Sequence, residues 1–222
     1  MEIAIIGAGR IGANVARQLA GAGHTLRLSF ARDLAALEQL ADELGAAATT
    51  PAEAVAASGV VIVSVPWGAI PEALEQAGSL RGKVVVDTTN QFGPGPKPAP
   101  GQTAAAFNAA RMTGSRYAKS FNTLTSAFQT QTAGRPREQR VVQWLCGDDG
   151  AAKQTVAGLI DDAGYAPVDL GGTAGCAVME APRRPGAVYG EEWRLPEALE
   201  VVAAVRDGRP IPDPRSYPED SA

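Results

Sequence analysis

An apolar segment, residues 2–7 (EIAIIG), leads directly into a glycine-rich turn and then into an amphipathic pattern over residues 10–22. Gly7, Gly9 and Gly12 have the spacing G-x-G-x-x-G. Between a strand and a helix, such glycines permit a tight turn, close approach of the backbone to a ligand, and close packing of helix on strand. The free N–H groups of the first helical turn favour a phosphate. We therefore predict a βαβ unit that holds the pyrophosphate of a dinucleotide.

Strand-like and helix-like patterns alternate along the rest of the chain. Strands are expected at residues 2–7, 25–30, 46–49, 59–65, 83–87, 116–121, 140–146 and 165–170. Helices are expected at residues 10–22, 33–44, 70–77, 102–111, 150–163 and 195–206, with a further helix beginning at Pro51. Strands that alternate with helices form right-handed βαβ units around a parallel sheet. The pattern predicts an α/β fold with a Rossmann-type, doubly wound, mostly parallel sheet.

Two segments depart from this alternation. Residues 93–101 (GPGPKPAPG) contain four prolines, which predicts an exposed loop. The stretch between residues 122 and 136 also lacks a clear period and is expected to be a loop. We predict a dinucleotide-binding domain over residues 1–172, with residues 173–222 as a small helical or irregular extension packed on that domain.

The composition excludes several classes of protein. Of 222 residues, 45% are apolar, which is enough for a core, and the net charge of −4 does not suit a protein that binds nucleic acid. No apolar run is long enough to span a membrane, and the first residues carry no signal-peptide pattern, so we expect a cytoplasmic protein. In that compartment Cys146 and Cys176 are expected to be two reduced thiols, and with one histidine they form no metal-ligand spacing.

The segment LRLSFARD, residues 26–33, decides which dinucleotide is expected. In such folds an acidic residue about 20 positions beyond the glycine turn binds a ribose hydroxyl, but here Arg32 stands near that position. An arginine can pair with a 2′-phosphate, with Ser29 as a second contact if its side chain faces the groove. Asp33 is expected to cap the next helix. The sequence therefore favours NADP(H), whereas a longer second strand would make Asp33 the ribose ligand and favour NAD(H).

Polar or small residues follow three other predicted strands. They are Ser64, Pro66 and Trp67 after one strand, Asn90 after the next, and Asn122 with Thr123 after the third. Ligands of open α/β sheets bind beyond the carboxyl ends of the strands, so these residues are expected along the dinucleotide. Trp67 could equally be a packing residue. His24 lies before the second strand, at the opposite edge, and is expected to be structural.

The motifs taken together resemble the coenzyme F420-dependent NADP oxidoreductase family. The resemblance rests on GAGRIGANVARQLAGAGH, Arg32, SVPWGAIPEAL, VVVDTTNQF, YAKSFNTL, CGDDGAAKQTVAGLIDDAGYAPVDLG and the region of Glu180. It implies that Gly7, Gly9, Arg10, Ile11 and Gly12 hold the pyrophosphate of NADP(H). It further implies that Arg32 binds the 2′-phosphate, that Ser64, Pro66 and Trp67 follow the cofactor, and that Asn122 and Thr123 reach the nicotinamide. The NADPH-binding module of membrane ferric reductases is similar too.

The resemblance implies hydride transfer between NADPH and coenzyme F420 or a flavin as the small-molecule redox substrate. No general acid or base stands out, and hydride transfer between two bound rings depends mainly on their positioning. One alternative is reduction of a small carbonyl or imine compound with Tyr189, Tyr117 or Lys119 as proton donor. Another is a non-catalytic dinucleotide sensor. A homodimer is compatible with the segment after Gly172, where Val188, Tyr189 and Trp193 would form an interface or cover the substrate.

Overall fold

The computed structural model describes residues 1–217, so the last five residues of the predicted extension lie outside the described part. The strands are β1 Glu2–Ile6, β2 Thr25–Ser29, β3 Ala47–Ala48, β4 Val60–Val63, β5 Val84–Asp87, β6 Arg116–Ser120, β7 Val142–Cys146 and β8 Ala166–Asp169. The helices are α1 Arg10–Gly21, α2 Leu34–Leu44, α3 Pro51–Ala57, α4 Ile70–Ala77, α5 Ala104–Arg111, α6 Ser126–Thr132, α7 Gly150–Asp162 and α8 Leu195–Arg206.

Within the described residues these strands form one sheet in the order β3-β2-β1-β4-β5-β6-β7-β8. All neighbouring pairs are parallel except β6 with β7, where Lys119 faces Cys146 and Ser120 faces Leu145. The strand order reverses between β1 and β4, which is the point where such sheets open a crevice for a ligand. The predicted α/β fold with a Rossmann-type, mostly parallel sheet is thus confirmed.

Both faces of the sheet are covered, so its central strands are apolar without alternation. On one face Ile3 and Ile5 pack with α1, α2 and α7. On the other face Ala4 and Ile6 join the core formed with α3, α4, α5 and the C-terminal segment. The buried strands fix the positions of the loops at their carboxyl ends, where the predicted ligand site lies.

The helix α6 was not predicted, because its sequence SAFQTQT is short, polar and without a clear apolar stripe. Its formation depends on capping and on packing. The hydroxyl oxygen of Thr125 accepts a hydrogen bond from the N–H of Phe128, and Asn14 of α1 donates to the carbonyl of Ser126 at 2.7 Å. The buried amide of Gln129 donates to the carbonyls of Phe121 and Leu124. The helix therefore closes the outer side of α1.

The C-terminal segment corrects two expectations. Cys146 and Cys176 form a disulfide, with Cα atoms 5.9 Å apart, rather than two reduced thiols. It joins the end of β7 to a 3-10 segment, Thr173–Met179, that packs against α5 and the sheet. Val188 and Trp193 are fully buried within the chain, so they are not available to form a dimer interface. Sequence spacing could not show that a residue after β8 returns to β7.

No helix among residues 1–217 combines the length and the apolar character that crossing a membrane requires.

Candidate functional site

The glycine turn between β1 and α1 has the geometry that its sequence predicts. Gly7 adopts a φ of +102°, and a Cβ atom there would lie 2.3 Å from the carbonyl oxygen of Ser64. A Cβ on Gly12 would lie 2.0 Å from the carbonyl oxygen of Gly7. These two glycines are therefore required by the close approach of β1, α1 and β4.

Gly9 differs from the other two glycines of the turn. It is exposed, and a Cβ atom there would meet no atom within 4 Å. It precedes the first residue of α1, whose N-terminal N–H groups are unpaired within the helix. Nothing in the protein requires a glycine here, whereas a phosphate drawn to the helix N-terminus would. This observation fits a dinucleotide at the turn.

A cleft of about 620 Å³ opens on the outer side of the turn. It is lined by Ala8, Gly9, Arg10, Ala13, Asn14, Arg17, Ser126, Ala127 and Thr130. Arg10 is exposed at its edge, and Ile11 is half-buried against the core. The cleft adjoins the turn but extends along the outside of α1, away from the other strand ends. It therefore accounts for the pyrophosphate end of a ligand and not for the whole site.

The end of β2 settles the role of Asp33. The strand stops at Ser29 because Phe30 turns into a left-handed conformation, with φ of 58°. The side chain of Asp33 accepts a hydrogen bond from the N–H of Ala36 at 3.0 Å, so it caps α2 as predicted. The longer strand that would have freed Asp33 for a ribose does not form. Arg32 is exposed, and in the described part of the chain it has no ion-pair partner.

Ser29 does not face the groove. Its hydroxyl group is buried and donates to the carbonyl of Ile5 at 3.3 Å, so the predicted contact of its side chain with the 2′-phosphate is wrong. The alternation of side chains along β2 directs this position into the sheet, and a one-residue error in the predicted strand end reverses that direction.

The segment after β4 brings Ser64 against the glycine turn and Trp67 into the core. The N–H of Ser64 donates to the carbonyl of Ile6, and Pro66 is exposed. Only 1% of Trp67 is exposed, and its indole N–H donates to the carbonyl of Pro96 at 2.7 Å. Packing is therefore the role of the indole ring. Through this contact Trp67 holds down the proline-rich loop at residues 93–101.

The turns after β5 and β6 meet through two asparagines. Asn90 Nδ2 donates to the carbonyl of Asn122 at 2.8 Å, and Asn122 Nδ2 donates to Asn90 Oδ1 at 3.1 Å and to the carbonyl of Met179 at 2.7 Å. Asn122 is 4% exposed and the neighbouring Thr123 is 2% exposed. The oxygen Oδ1 of Asn122 and the hydroxyl of Thr123 have no hydrogen-bond partner among residues 1–217. Buried polar atoms without a partner are costly, so these two suit a polar ligand group.

A buried carboxylate holds the turn after β5 in place. Asp87 accepts hydrogen bonds from Tyr117 at 2.6 Å and Asn108 at 2.7 Å, and Lys119 Nζ lies 3.4 Å away. Burial raises the pKa of Asp87, but the Lys119 charge and these hydrogen bonds outweigh burial and lower it below its usual value. Lys119 also donates to the carbonyl of Thr89, the residue before Asn90.

This network excludes two of the proton donors considered from the sequence. Tyr117 and Lys119 are buried and committed to Asp87. Burial and the nearby carboxylate raise the pKa of Tyr117 well above its usual value, which makes it a poor acid. Tyr189 is half-buried, and burial raises the pKa of its hydroxyl as well.

Glu180 was quoted only as part of a motif, and the structure gives it a function in positioning. Its carboxylate is buried and accepts hydrogen bonds from the N–H groups of Ala104 and Ala105 at 2.8 and 2.7 Å, at the start of α5. A second cleft, of about 320 Å³, opens beside Gln91 and is lined by Gln91, Gly101, Gln102, Thr103, Ala177, Glu180, Ala181, Pro182 and Arg184. No local sequence signal joins these segments, because they meet only in the folded chain.

His24 lies at the opposite edge of the sheet, as predicted. Its ring contacts the N-terminal amine at 3.1 Å and the carboxylate of Asp162 at 3.0 Å. It therefore has structural partners and lies away from the strand ends that form the site.

Comparison with known proteins agrees with the predicted family. Residues 2–91 match the family described as NADP oxidoreductase, coenzyme F420-dependent. The metalloreductase STEAP3 of Rattus norvegicus is 29% identical over 201 residues, and this chain spans 39% of its length and is itself 89% covered. The match to the family confirms the resemblance over the segment that carries the glycine turn, Arg32 and Asn90.

Solved structures extend the similarity beyond that segment. A hypothetical protein from Sinorhizobium meliloti superposes with a TM-score of 0.75 at 28% identity, covering 88% of this chain and 96% of that one. A candidate F420-dependent NADP-reductase from Arthrobacter sp. FB24 gives 0.65 at 26% identity, covering 78% and 86%. A reductive aminase from Aspergillus terreus, solved with NADPH and ethyl levulinate, gives 0.62 at 26% identity, covering 79% and 56%. The chain is thus related, in fold and in its glycine-turn half, to the coenzyme F420-dependent family of NADP-dependent oxidoreductases.

Proposed function

We propose that this protein binds NADP(H) across the carboxyl ends of β1, β2, β4, β5 and β6 and transfers a hydride between NADPH and a deazaflavin or flavin. The observation that carries the proposal is the exposed Gly9 at the start of α1, since only a ligand accounts for a glycine there. The matched family and the relatives described with NADPH support the choice of cofactor.

The described residues would bind the cofactor at three places. The turn at Gly9 and Arg10 would hold the pyrophosphate through backbone N–H groups. The exposed guanidinium of Arg32 would pair with the 2′-phosphate, the group that distinguishes NADP from NAD. Asn122 Oδ1 and the Thr123 hydroxyl would bind the carboxamide of the nicotinamide, one as acceptor and the other as donor.

When bound, the nicotinamide supplies the hydride, and the protein residues have to hold the two rings in contact and exclude water. The network around Asp87 fits this task. It holds the turn at Thr89 and Asn90 with buried hydrogen bonds and without a group that must change its protonation state during the transfer. The acceptor would enter from the side of Gln91, where the second cleft opens.

A second candidate function is reduction of an imine, because several of the similar structures are imine reductases or reductive aminases of Aspergillus terreus solved with NADPH or a related cofactor. That reaction requires a proton for the product nitrogen. Of the three donors considered from the sequence, only Tyr189 is partly exposed. Tyr189→Phe would therefore stop imine reduction and leave flavin reduction nearly unchanged.

The experiment that tests the proposal measures loss of reduced-nicotinamide absorbance with the purified protein. NADPH and NADH are supplied separately, each with coenzyme F420, FMN, FAD, a cyclic imine or no acceptor. Turnover of NADPH with F420 or a flavin supports the proposal. Turnover with the imine alone supports the second candidate. Absence of NADPH binding by fluorescence contradicts both, and binding without turnover by any acceptor would leave a dinucleotide sensor.

A further inference from the structure

We infer that Phe92 and Tyr189 form the surface on which the ring of the hydride acceptor stacks. Their ring centroids lie 6.4 Å apart, with the planes at 58°. Phe92 is 58% exposed, whereas the other four phenylalanines are buried or half-buried. This inference rests on the proposed hydride transfer and adds the residues that select the acceptor.

Backbone hydrogen bonds attach both rings to the ends of the two strands that form the site. The N–H of Phe92 donates to the carbonyl of Asn90 at 2.7 Å, in the turn after β5. The N–H of Gly190 donates to the carbonyl of Thr123 at 2.9 Å, which attaches the segment that carries Tyr189 to the turn after β6. The two aromatic side chains therefore lie on supported turns and not on loose loop tips.

The direction of the dinucleotide places its reactive ring beside this pair. Arg32 follows β2, on one side of the glycine turn, so a 2′-phosphate at Arg32 directs the adenosine half toward β2. The nicotinamide half then extends past β4 toward β5 and β6, on the other side of the point where the strand order reverses. Phe92 and Tyr189 lie beyond these two strands, where the second reactant has to meet the nicotinamide.

A single exposed phenylalanine needs no explanation, since isolated apolar side chains are common on protein surfaces. The independent observation is the pair of buried polar atoms at the same strand ends, Asn122 Oδ1 and the Thr123 hydroxyl, which have no partner among the described residues. An apolar aromatic surface beside a few unpaired polar atoms is the usual character of a site for a planar ring.

The neighbouring charges favour a flat ring over a small anion. Lys97 is the nearest cation on the proline-rich loop, and its ammonium group donates to the carbonyls of Gln91 and Gly93, both at 2.9 Å. It is therefore engaged in holding the loop. A tricyclic ring can stack on Phe92 and Tyr189 in offset or edge-to-face geometry, which contributes about 0.5 to 1.5 kcal/mol beyond the area that it buries. The acceptor class inferred is a flavin-like or deazaflavin ring.

The test measures ring binding separately from turnover. Riboflavin, FMN and coenzyme F420 are titrated into the NADP⁺-bound protein, and quenching of their fluorescence gives the affinity. The variants are Phe92→Leu, which keeps the apolar volume, and Phe92→Tyr, which keeps the aromatic ring. Leu199→Ala is the matched control, because Leu199 is also 58% exposed but lies on α8.

We expect Phe92→Leu to weaken riboflavin binding about three- to tenfold, the factor that corresponds to loss of one aromatic contact, with NADPH affinity unchanged. Phe92→Tyr and Leu199→Ala should bind riboflavin like the native protein. In turnover, Phe92→Leu should raise KM for the acceptor and change kcat less.

Two results would overturn the inference. One is equal riboflavin affinity in the native protein and in Phe92→Leu. The other is binding of FMN but not riboflavin, which would show that the phosphate is recognised and the ring is not. A native protein that binds NADPH but none of the three ring compounds also refutes the inference while leaving the dinucleotide site intact. Failure to bind NADPH at all is the separate result that refutes the proposed function.

Discussion

The two ends of the cofactor crevice are built in opposite ways. At the glycine turn, Gly9 and Arg10 are exposed, and the first N–H groups of α1 are left without partners in the helix. At the ends of β5 and β6, Asp87, Lys119 and Asn122 are buried and joined by side-chain hydrogen bonds. The first end offers backbone groups to any ligand with a phosphate. The second end is rigid before a ligand arrives.

This difference shows how the protein separates binding from positioning. A phosphate contributes affinity through its charge and tolerates small changes in geometry. Hydride transfer requires two rings at a fixed separation, which flexible side chains would not maintain. The buried network therefore suits the reactive end of the crevice, and the exposed turn suits the anchoring end. Each prediction below changes one end and measures the other.

The largest effects are expected at the glycine turn. Gly12→Val should prevent stable folding, because even a Cβ atom would lie 2.0 Å from the carbonyl oxygen of Gly7. Gly9→Val meets no protein atom within 4 Å, so the thermal unfolding temperature should change little while NADPH affinity falls by about a hundredfold or more. Thermal unfolding and NADPH fluorescence check the pair. Normal NADPH binding by Gly9→Val would refute the phosphate site.

The buried network should show the next largest effect. Asp87→Asn leaves Lys119 charged and buried without a full partner, which should destabilise the fold by about 3 to 5 kcal/mol. Chemical denaturation measures this change. The double variant Asp87→Asn with Lys119→Met should be less destabilised than the sum of the two single variants. Simple addition of the two effects would show that the pair is not coupled.

The same network predicts how stability depends on pH. The pKa of Asp87 is lower in the folded protein than in the unfolded chain, since the effects of Lys119 and the hydrogen bonds exceed that of burial. Its contribution is therefore complete above the unfolded pKa and is lost as the pH falls through the folded pKa. Asp87→Asn should show a flatter acid-side loss of stability than the native protein.

The disulfide should contribute somewhat less than the network. Cys146 and Cys176 are separated by 30 residues, for which the chain-entropy argument gives about 3 to 4 kcal/mol. Cys176→Ala should lower the free energy of unfolding by this order, and Cys146→Ala should match it. Thiol titration in denaturant, with and without reductant, checks that the bond is formed. Two titratable thiols without reductant would restore the expectation made from the sequence.

Arg32 is expected to affect affinity and not stability. Arg32→Ala should weaken NADPH binding by about ten- to a hundredfold, the loss of one charged hydrogen-bonding group, and leave NADH binding unchanged. Arg81→Ala is a suitable control, because Arg81 is also exposed but precedes β5, at the opposite edge of the sheet. Equal losses for NADPH and NADH would contradict the assignment of the 2′-phosphate.

The smallest effect is expected at His24. His24→Ala removes contacts with the N-terminus and with Asp162 at the edge opposite the site. Stability should fall by less than about 1 kcal/mol, as for other exposed ion pairs, and turnover should be nearly unchanged. A large loss of turnover with intact NADPH binding would show that this edge of the sheet takes part in the reaction.

The sequence predicted the elements better than it predicted their contacts. Helix starts at Asp33 and Thr50 were predictable because a capping side chain acts within three residues. Helix α6 was not, since its support comes from Asn14, more than a hundred residues earlier. The direction of Ser29 was wrong because it depended on where β2 ends, and the left-handed Phe30 has no sequence signal.

The sequence by itself determined the parallel sheet, the glycine turn and the exposed arginine that replaces a ribose acid. These features follow from hydrophobic period, backbone freedom and charge within a few residues of one another. Only the tertiary structure decided that Cys146 pairs with Cys176, that Asp87 receives Tyr117 and Lys119, and that Phe92 meets Tyr189. Those pairs join distant segments, and distant contacts depend on how β5, β6 and the C-terminal segment pack together, which local spacing does not encode.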